Sequence, residues 1–176
     1  KTVFGVNFAD GRIKGYPKEI KGQQKGANKQ FVRYVRGNPD YGKNKFVVNS
    51  NKTISDEATG LVWSKDDSGK AMNWEDALSW VQKKNREVYL GFNDWRLPNA
   101  KELQSIVDYS RAPDAANKNI KSAAIDPVFS ITESESYFWT STTHIENHTC
   151  GFAVYICFGQ AFGTMNGKKM NVHGAG

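Results

Sequence analysis

The sequence predicts an α+β fold, and three observations carry that reading. Strand-like stretches open and close the chain while two stretches of helical period lie together in its middle, an order unlike the alternation of βαβ units. Aromatic residues make up 12% of the chain, with five Trp and ten Phe beside 16 Gly, which suits a turn-rich fold whose core is built of large rings. Hydrophobic residues at 39% and charged residues at 24% place the chain among globular rather than disordered sequences. Its 176 residues suffice for one domain with its own core, or for one domain and an appendage.

Taken in order, residues 1–16 read as a hairpin, because Val and Phe alternate with small or polar residues and Asp10-Gly11 supplies a turn. Residues 17–30, rich in Lys, Gln, Gly and Asn, read as a mobile loop. Phe31-Val-Arg-Tyr-Val-Arg36 alternates again and predicts a strand, on which Arg33 and Arg36 differ in parity and face opposite ways. Gly37-Asn-Pro-Asp-Tyr-Gly42 is a strong break and the candidate boundary. Short strands follow at Phe46-Val-Val and Leu61-Val-Trp63, with turns at Asp56-Glu-Ala-Thr-Gly60 and Asp66-Asp-Ser-Gly69. Asn73 caps a helix whose Trp74, Ala77, Leu78 and Val81 form an apolar stripe, with Glu75 and Asp76 in the first turn where the helix dipole favours them. Asn99-Ala-Lys-Glu102 has capping-box spacing and opens a second helix, with Leu103, Ile106 and Val107 as its stripe. Residues 110–125 read as a long polar loop. From Ser136 the chain is strand-like again, through Tyr137-Phe-Trp139, Gly151 to Phe158 and Ala161 to Met165.

The net charge of +6 is unevenly placed: residues 1–45 hold 11 Lys/Arg against 3 Asp/Glu, and residues 46–176 hold 13 against 15. A basic N-terminal stretch attracts polyanions such as sulfated glycans, lipopolysaccharide phosphate or nucleic acid, but the plainer reading, and the preferred one, is a solvated Lys-rich loop. No apolar run approaches the ~20 residues of a membrane-spanning helix. The chain opens on Lys1 without a signal-peptide pattern, which fits either a cytosolic protein or a mature or trimmed fragment, and a fragment is expected. Cys150 and Cys157 sit seven apart in one apparent strand, too far for an internal bridge, so two buried thiols are expected. Phe4-Gly-Val6 echoes Phe152-Ala-Val154, and Gly11 and Gly15 echo Gly159 and Gly163. The echo divides the chain into residues 1–37, the closing hairpin and strand of a preceding repeat or a segment that completes the fold, and residues 38–176, the domain proper.

Three stretches carry a family resemblance: Asp56-Glu-Ala-Thr-Gly-Leu-Val-Trp-Ser-Lys-Asp-Asp-Ser-Gly69, Asn93-Asp-Trp-Arg-Leu-Pro-Asn-Ala-Lys-Glu-Leu103, and Phe138-Trp-Thr-Ser-Thr-Thr143 followed by Ala153-Val-Tyr and Phe158-Gly159. In this order they resemble the Lcl C-terminal domain family, and residues 31–36 resemble that family's last strand. The resemblance implies a C-type-lectin-like fold with two helices packed on twisted antiparallel sheets, related to the formylglycine-generating (sulfatase-modifying) enzymes, which share Trp95-Arg-Leu-Pro98. It also implies an extracytoplasmic setting (secreted, periplasmic or cell-surface), since members are typically surface proteins and the founding member is an adhesin that binds glycosaminoglycans. Fold is implied more firmly than function.

Trp63, Trp74, Trp95, Leu97 and Trp139 read as core, and Arg96 as paired with a carboxylate such as Asp94. His144, His148 and Cys150 have the residue types of a zinc site but not its spacing, and no metal or other cofactor is expected. Asp66, Asp67 and Asp94 suggest calcium only weakly, because the Glu-Pro-Asn, Gln-Pro-Asp and Trp-Asn-Asp motifs of sugar-binding C-type lectins do not occur; solvated acids in a turn are expected. A formylglycine-generating-enzyme-like oxidoreductase is the least favoured reading, since the cysteines do not match the reactive pair of those enzymes. The candidate ligand-binding residues are basic: Arg12, Lys14, Lys18, Lys21, Lys25, Lys29, Arg33 and Arg36. The expected function is that of a non-catalytic surface binding domain for a glycan or another polyanion, and the alternative is a structural or oligomerising module of a surface protein. The expected partner is an anionic glycan or another surface protein, with a homo-oligomer as a further option and no nucleic acid.

Overall fold

The structure, a computed structural model, describes residues 2–6, 13–20, 26–146 and 149–171. It is α+β, with two helices and small antiparallel sheets, and it divides into two units after Tyr41. Among the described residues no helix is long and apolar enough to cross a membrane.

In the first unit, β1 (Thr2–Val6) pairs with β2 (Ile13–Pro17), Thr2 opposite Pro17 and Val6 opposite Ile13. The Asp10-Gly11 turn lies outside the described residues. Where the sequence predicts only loop, β3 (Glu19–Ile20) pairs with β4 (Gly26–Ala27). Asn28 holds the chain behind this pair, its N–H donating to Lys18 O at 2.9 Å and its Nδ2 to Pro17 O at 3.1 Å. Residues 31–36 form no strand. Their alternation is right, but a strand exists only through its ladder, and no described strand pairs with them. Phe31, Val32, Tyr34 and Val35 are consequently exposed, Phe31 completely.

The second unit begins with a three-stranded sheet in the order β5 (Phe46–Val48), β6 (Thr53–Asp56), β7 (Leu61–Ser64). Val48, Ile54 and Trp63 form one cross-strand row and Phe46, Asp56 and Leu61 the next, two residues along on the same face. Asp56 is buried at 1% exposure and organises the turn after β6. Its carboxylate accepts from Lys45 N–H and Asn44 Nδ2 at 2.8 Å, from Thr59 Oγ1 at 2.8 Å and from Ala58 N–H at 3.1 Å. Gly60 closes the turn at φ +73°, where a side chain would be strained.

Both helices begin where their caps predict. In α1 (Trp74–Arg86) the Asn73 side chain accepts from Asp76 N–H at 2.7 Å, and Ala77 and Val81 are buried. In α2 (Ala100–Ser105) Asn99 and Glu102 close a capping box, and Leu103 enters the core. This helix is short: Ile106 is already its C-cap, although its side chain is buried as the stripe requires.

A hairpin of β8 (Tyr137–Glu146) and β9 (Thr149–Cys157) follows. His144 lies within β8 and stacks on Phe152 across the ladder at 5.3 Å. The register slips between Trp139 and Thr143, and that bulge receives both helices. Trp74 Nε1 donates to Thr140 O at 2.9 Å, Ser141 N–H to Pro98 O at 2.8 Å, and Ala100 N–H to Thr142 Oγ1 at 2.9 Å. Finally β10 (Phe162–Met165) and β11 (Lys168–Asn171) form a tight hairpin, with Asn166 and Gly167 both at positive φ as such a turn demands. The echoing stretches pair differently, Phe4 facing Gly15 and Phe152 facing His144.

The core of the second unit is Leu103, Ile106, Ile125, Ile156 and Phe158, extended by half-buried rings. Phe129 meets Phe46 edge-on at 5.2 Å and Trp63 at 6.4 Å, and Phe138 meets Phe158 at 5.2 Å.

Candidate functional site

The basic candidates do not assemble into a described pocket. Lys18, Lys29, Arg33 and Arg36 are exposed. Arg12, Lys21 and Lys25 lie outside the described residues, as does the side chain of Lys14. His148 and the side chain of Cys150 also lie outside them. Among the described residues no three His, Cys, Asp or Glu side chains gather as a metal site would require.

The second unit instead holds a cavity of about 780 Å³, within the range of small-molecule sites. Its floor is the core itself, through Leu103, Ile106 and Phe158, and its aromatic wall comes from Trp63, Trp80, Phe138 and Trp139. Two loops complete it, residues 65–72 and 129–136. Asp67 staples these loops together. Its carboxylate accepts from Thr132 N–H at 2.7 Å, Thr132 Oγ1 at 2.6 Å and Gly69 N–H at 2.8 Å. Burial pushes the Asp67 carboxyl up, but the Thr132 hydroxyl and N–H and the Gly69 N–H outweigh it and hold it below its ordinary range. Asp67 is therefore a bonded strut, where the sequence predicts a solvated turn acid. Ser130 N–H adds a bond to Lys65 O at 2.9 Å, and Gln160 N–H donates to the Glu135 carboxylate at 2.9 Å.

Four carboxylates, Asp66, Asp67, Glu133 and Glu135, stand among the lining residues against Lys65 and Lys70. Asp67, Glu133 and Glu135 accept from backbone N–H groups, whereas the half-buried Asp66 carboxylate has no hydrogen bond among the described residues. The indoles divide likewise. Trp74, Trp95 and Trp139 donate to the carbonyls of Thr140, Tyr89 and Met72 at 2.9, 2.8 and 3.0 Å. Trp63 Nε1 is buried with no acceptor, the one such side-chain atom among the described residues. An unpaired buried donor costs roughly 1–3 kcal/mol.

The Asn93–Leu103 stretch gives Leu97, Pro98 and Leu103 to the cavity lining. Asn85 on α1 clamps Trp95, donating to its O at 2.8 Å and accepting from its N–H at 2.7 Å. Arg96 forks onto Glu102 with two 2.6 Å bonds, not onto Asp94, because Glu102 is already fixed on α2 by its bond from Asn99 N–H. Arg96 above all draws the Glu102 carboxyl below its ordinary range against the push from burial, and the Asn99 N–H adds to that pull. Cys157 is a free, buried thiol, and burial pushes its pKa up.

The sequence model of the family described as the Lcl C-terminal domain matches residues 52–173. This chain belongs to that family. The match takes in both helices, the bulged hairpin and every residue of the cavity wall, so the Lcl C-terminal domain region and the cavity coincide. No curated protein matches the chain, and no solved structure does. The sequence marks Trp63 and Trp139 as core and Asp66 as a solvated turn acid, and gives no sign that Trp80 lines one cavity with them. Its sole usable signal was the abundance of Trp, because the two loops of the site are joined by a bond that spans 65 residues.

Proposed function

We propose that this chain is a non-catalytic binding domain of C-type-lectin-like fold that works outside the cytoplasm and takes a glycan in its cavity. The observation that carries this reading is the joining of an aromatic wall to carboxylates. Flat rings stack on the apolar faces of sugars, and carboxylates accept hydrogen bonds from sugar hydroxyls. The small sheets and two helices, joined by long loops, suit the lectin-like fold that the family resemblance implies. With four acids against two lysines, the cavity disfavours a polyanion. Attraction to sulfated chains is assigned to the exposed Lys18, Lys29, Arg33 and Arg36 of the first unit. The raised pKa of Cys157 supports the non-catalytic reading, since a nucleophilic thiol needs the opposite shift.

A glycan array probed with the whole chain at low and at high salt tests this. Binding that survives high salt and is lost in Trp80→Leu supports the cavity. Binding confined to low salt moves the ligand to the basic residues. No binding at either salt overturns the glycan reading and favours a structural or oligomerising module, for which the exposed Phe31, Val32, Tyr34 and Val35 offer an apolar contact strip.

A further inference from the structure

We infer that the cavity is built for an N-acetylated sugar, with the acetamide carbonyl taken by Trp63 Nε1; the inference rests on the glycan reading above and narrows it. Trp63 lines the cavity, and its Nε1, covered by its neighbours, is the one buried side-chain donor without an acceptor among the described residues. The neighbouring floor, Leu103, Ile106 and Phe158, offers no polar side-chain atom. A group that settles there must therefore accept a hydrogen bond and end in something apolar.

A sugar hydroxyl does not fit this requirement, because it brings a donor of its own to a floor without a side-chain acceptor. A carboxylate or sulfate does not fit either, because it adds negative charge beside Asp66, Asp67, Glu133 and Glu135. An acetamide fits on each count. Its carbonyl oxygen satisfies Trp63, its methyl group buries against the floor, and its N–H is left to face the polar side, where the Asp66 carboxylate has no hydrogen bond among the described residues. The sugar ring then has Trp80 and Trp139 to stack on. Trp63 Nε1 is covered by its neighbours, so the carbonyl reaches it only as an adjacent side chain turns aside.

Calorimetric titration of the whole chain with N,N′-diacetylchitobiose and with cellobiose tests the inference, since the two differ in the acetamide. The expected result is that diacetylchitobiose binds about tenfold more tightly, the worth of one well-placed hydrogen bond in a dry site. Trp63→Phe keeps a ring and drops the N–H, so it should abolish that preference, bringing the two disaccharides to the same affinity. In the unmodified chain the Trp63 indole proton resonance should shift with diacetylchitobiose and stay still with cellobiose, which tests the contact whether or not the variant folds. Equal binding of the two sugars overturns the acetamide and leaves the glycan reading standing. A preference that persists in Trp63→Phe, or an unmoved indole proton, overturns Trp63 as the donor. If neither disaccharide binds, the inference falls, and the glycan array decides the broader reading separately.

Discussion

A carboxylate is tolerated in a protein interior where donors surround it, and Asp56 has four. Burial alone pushes its carboxyl up, but the Lys45 N–H, the Asn44 amide, the Thr59 hydroxyl and the Ala58 N–H together hold it below its ordinary range. The unfolded chain, with an ordinary pKa, then takes up protons before the folded chain does. The stability from Asp56 is therefore present in full above the ordinary carboxylate range and is lost as pH falls toward the lowered folded value. Glu102, Asp67 and Asp108 are lowered as well, so the acid limb is shared. Urea melts as a function of pH should show stability falling in acid, with a shallower fall in Asp56→Asn. At neutral pH Asp56→Ala should cost about 2–3 kcal/mol, because it removes the carboxylate that accepts these charge-assisted bonds and leaves their donors unpaired. A variant as stable as the parent would mean that water replaces the carboxylate at no cost.

Gly159 couples the last core strand to the cavity loop. It carries no unusual φ, yet a Cβ built on it would lie 2.0 Å from Ser134 O and 2.9 Å from Ser134 C, which no side-chain motion can relieve. Gly159→Ala should therefore displace residues 133–136, lower the melting temperature, and change the fluorescence of the cavity tryptophans. An unchanged melting curve would show that this loop yields freely. The sequence could not reveal that contact, since Ser134 and Gly159 are brought together by packing between elements. The helices were legible for the opposite reason: Asn73 and Asn99 bond three residues ahead, so the cause of each helix start lies within four letters of sequence. Strands were legible only in part. The sequence gives no alternation to mark the buried β6, and residues 31–36 look like a strand without being one, because pairing depends on a partner that local alternation does not specify. The cavity was least legible of all, as its walls come from loops far apart in the chain.

Net charge is legible without any fold, being a sum over residues, and here the sum separates along the same line as the units. Residues 1–41 carry 9 Lys/Arg against 3 Asp/Glu, while residues 42–176 carry 15 against 15, so the whole excess of +6 belongs to the first stretch. The two kinds of glycan contact then differ in physics. The cavity works through stacking and buried hydrogen bonds, which salt screens weakly, whereas the basic residues act through water and lose their pull once the Debye length shrinks to a few ångströms. Heparin chromatography against a salt gradient separates the two. Replacing Lys18, Lys29, Arg33 and Arg36 by Gln should move elution to much lower salt and flatten the dependence of log retention on log salt. The same change at Lys101, Lys118, Lys121 and Lys168, equally exposed but on a stretch of balanced charge, should move it far less. Both sets remove four positive charges, so a bare net-charge effect would shift them alike. Equal shifts would mean that heparin reads total charge rather than the first unit, and would remove the polyanion role assigned to these residues while leaving the cavity untouched.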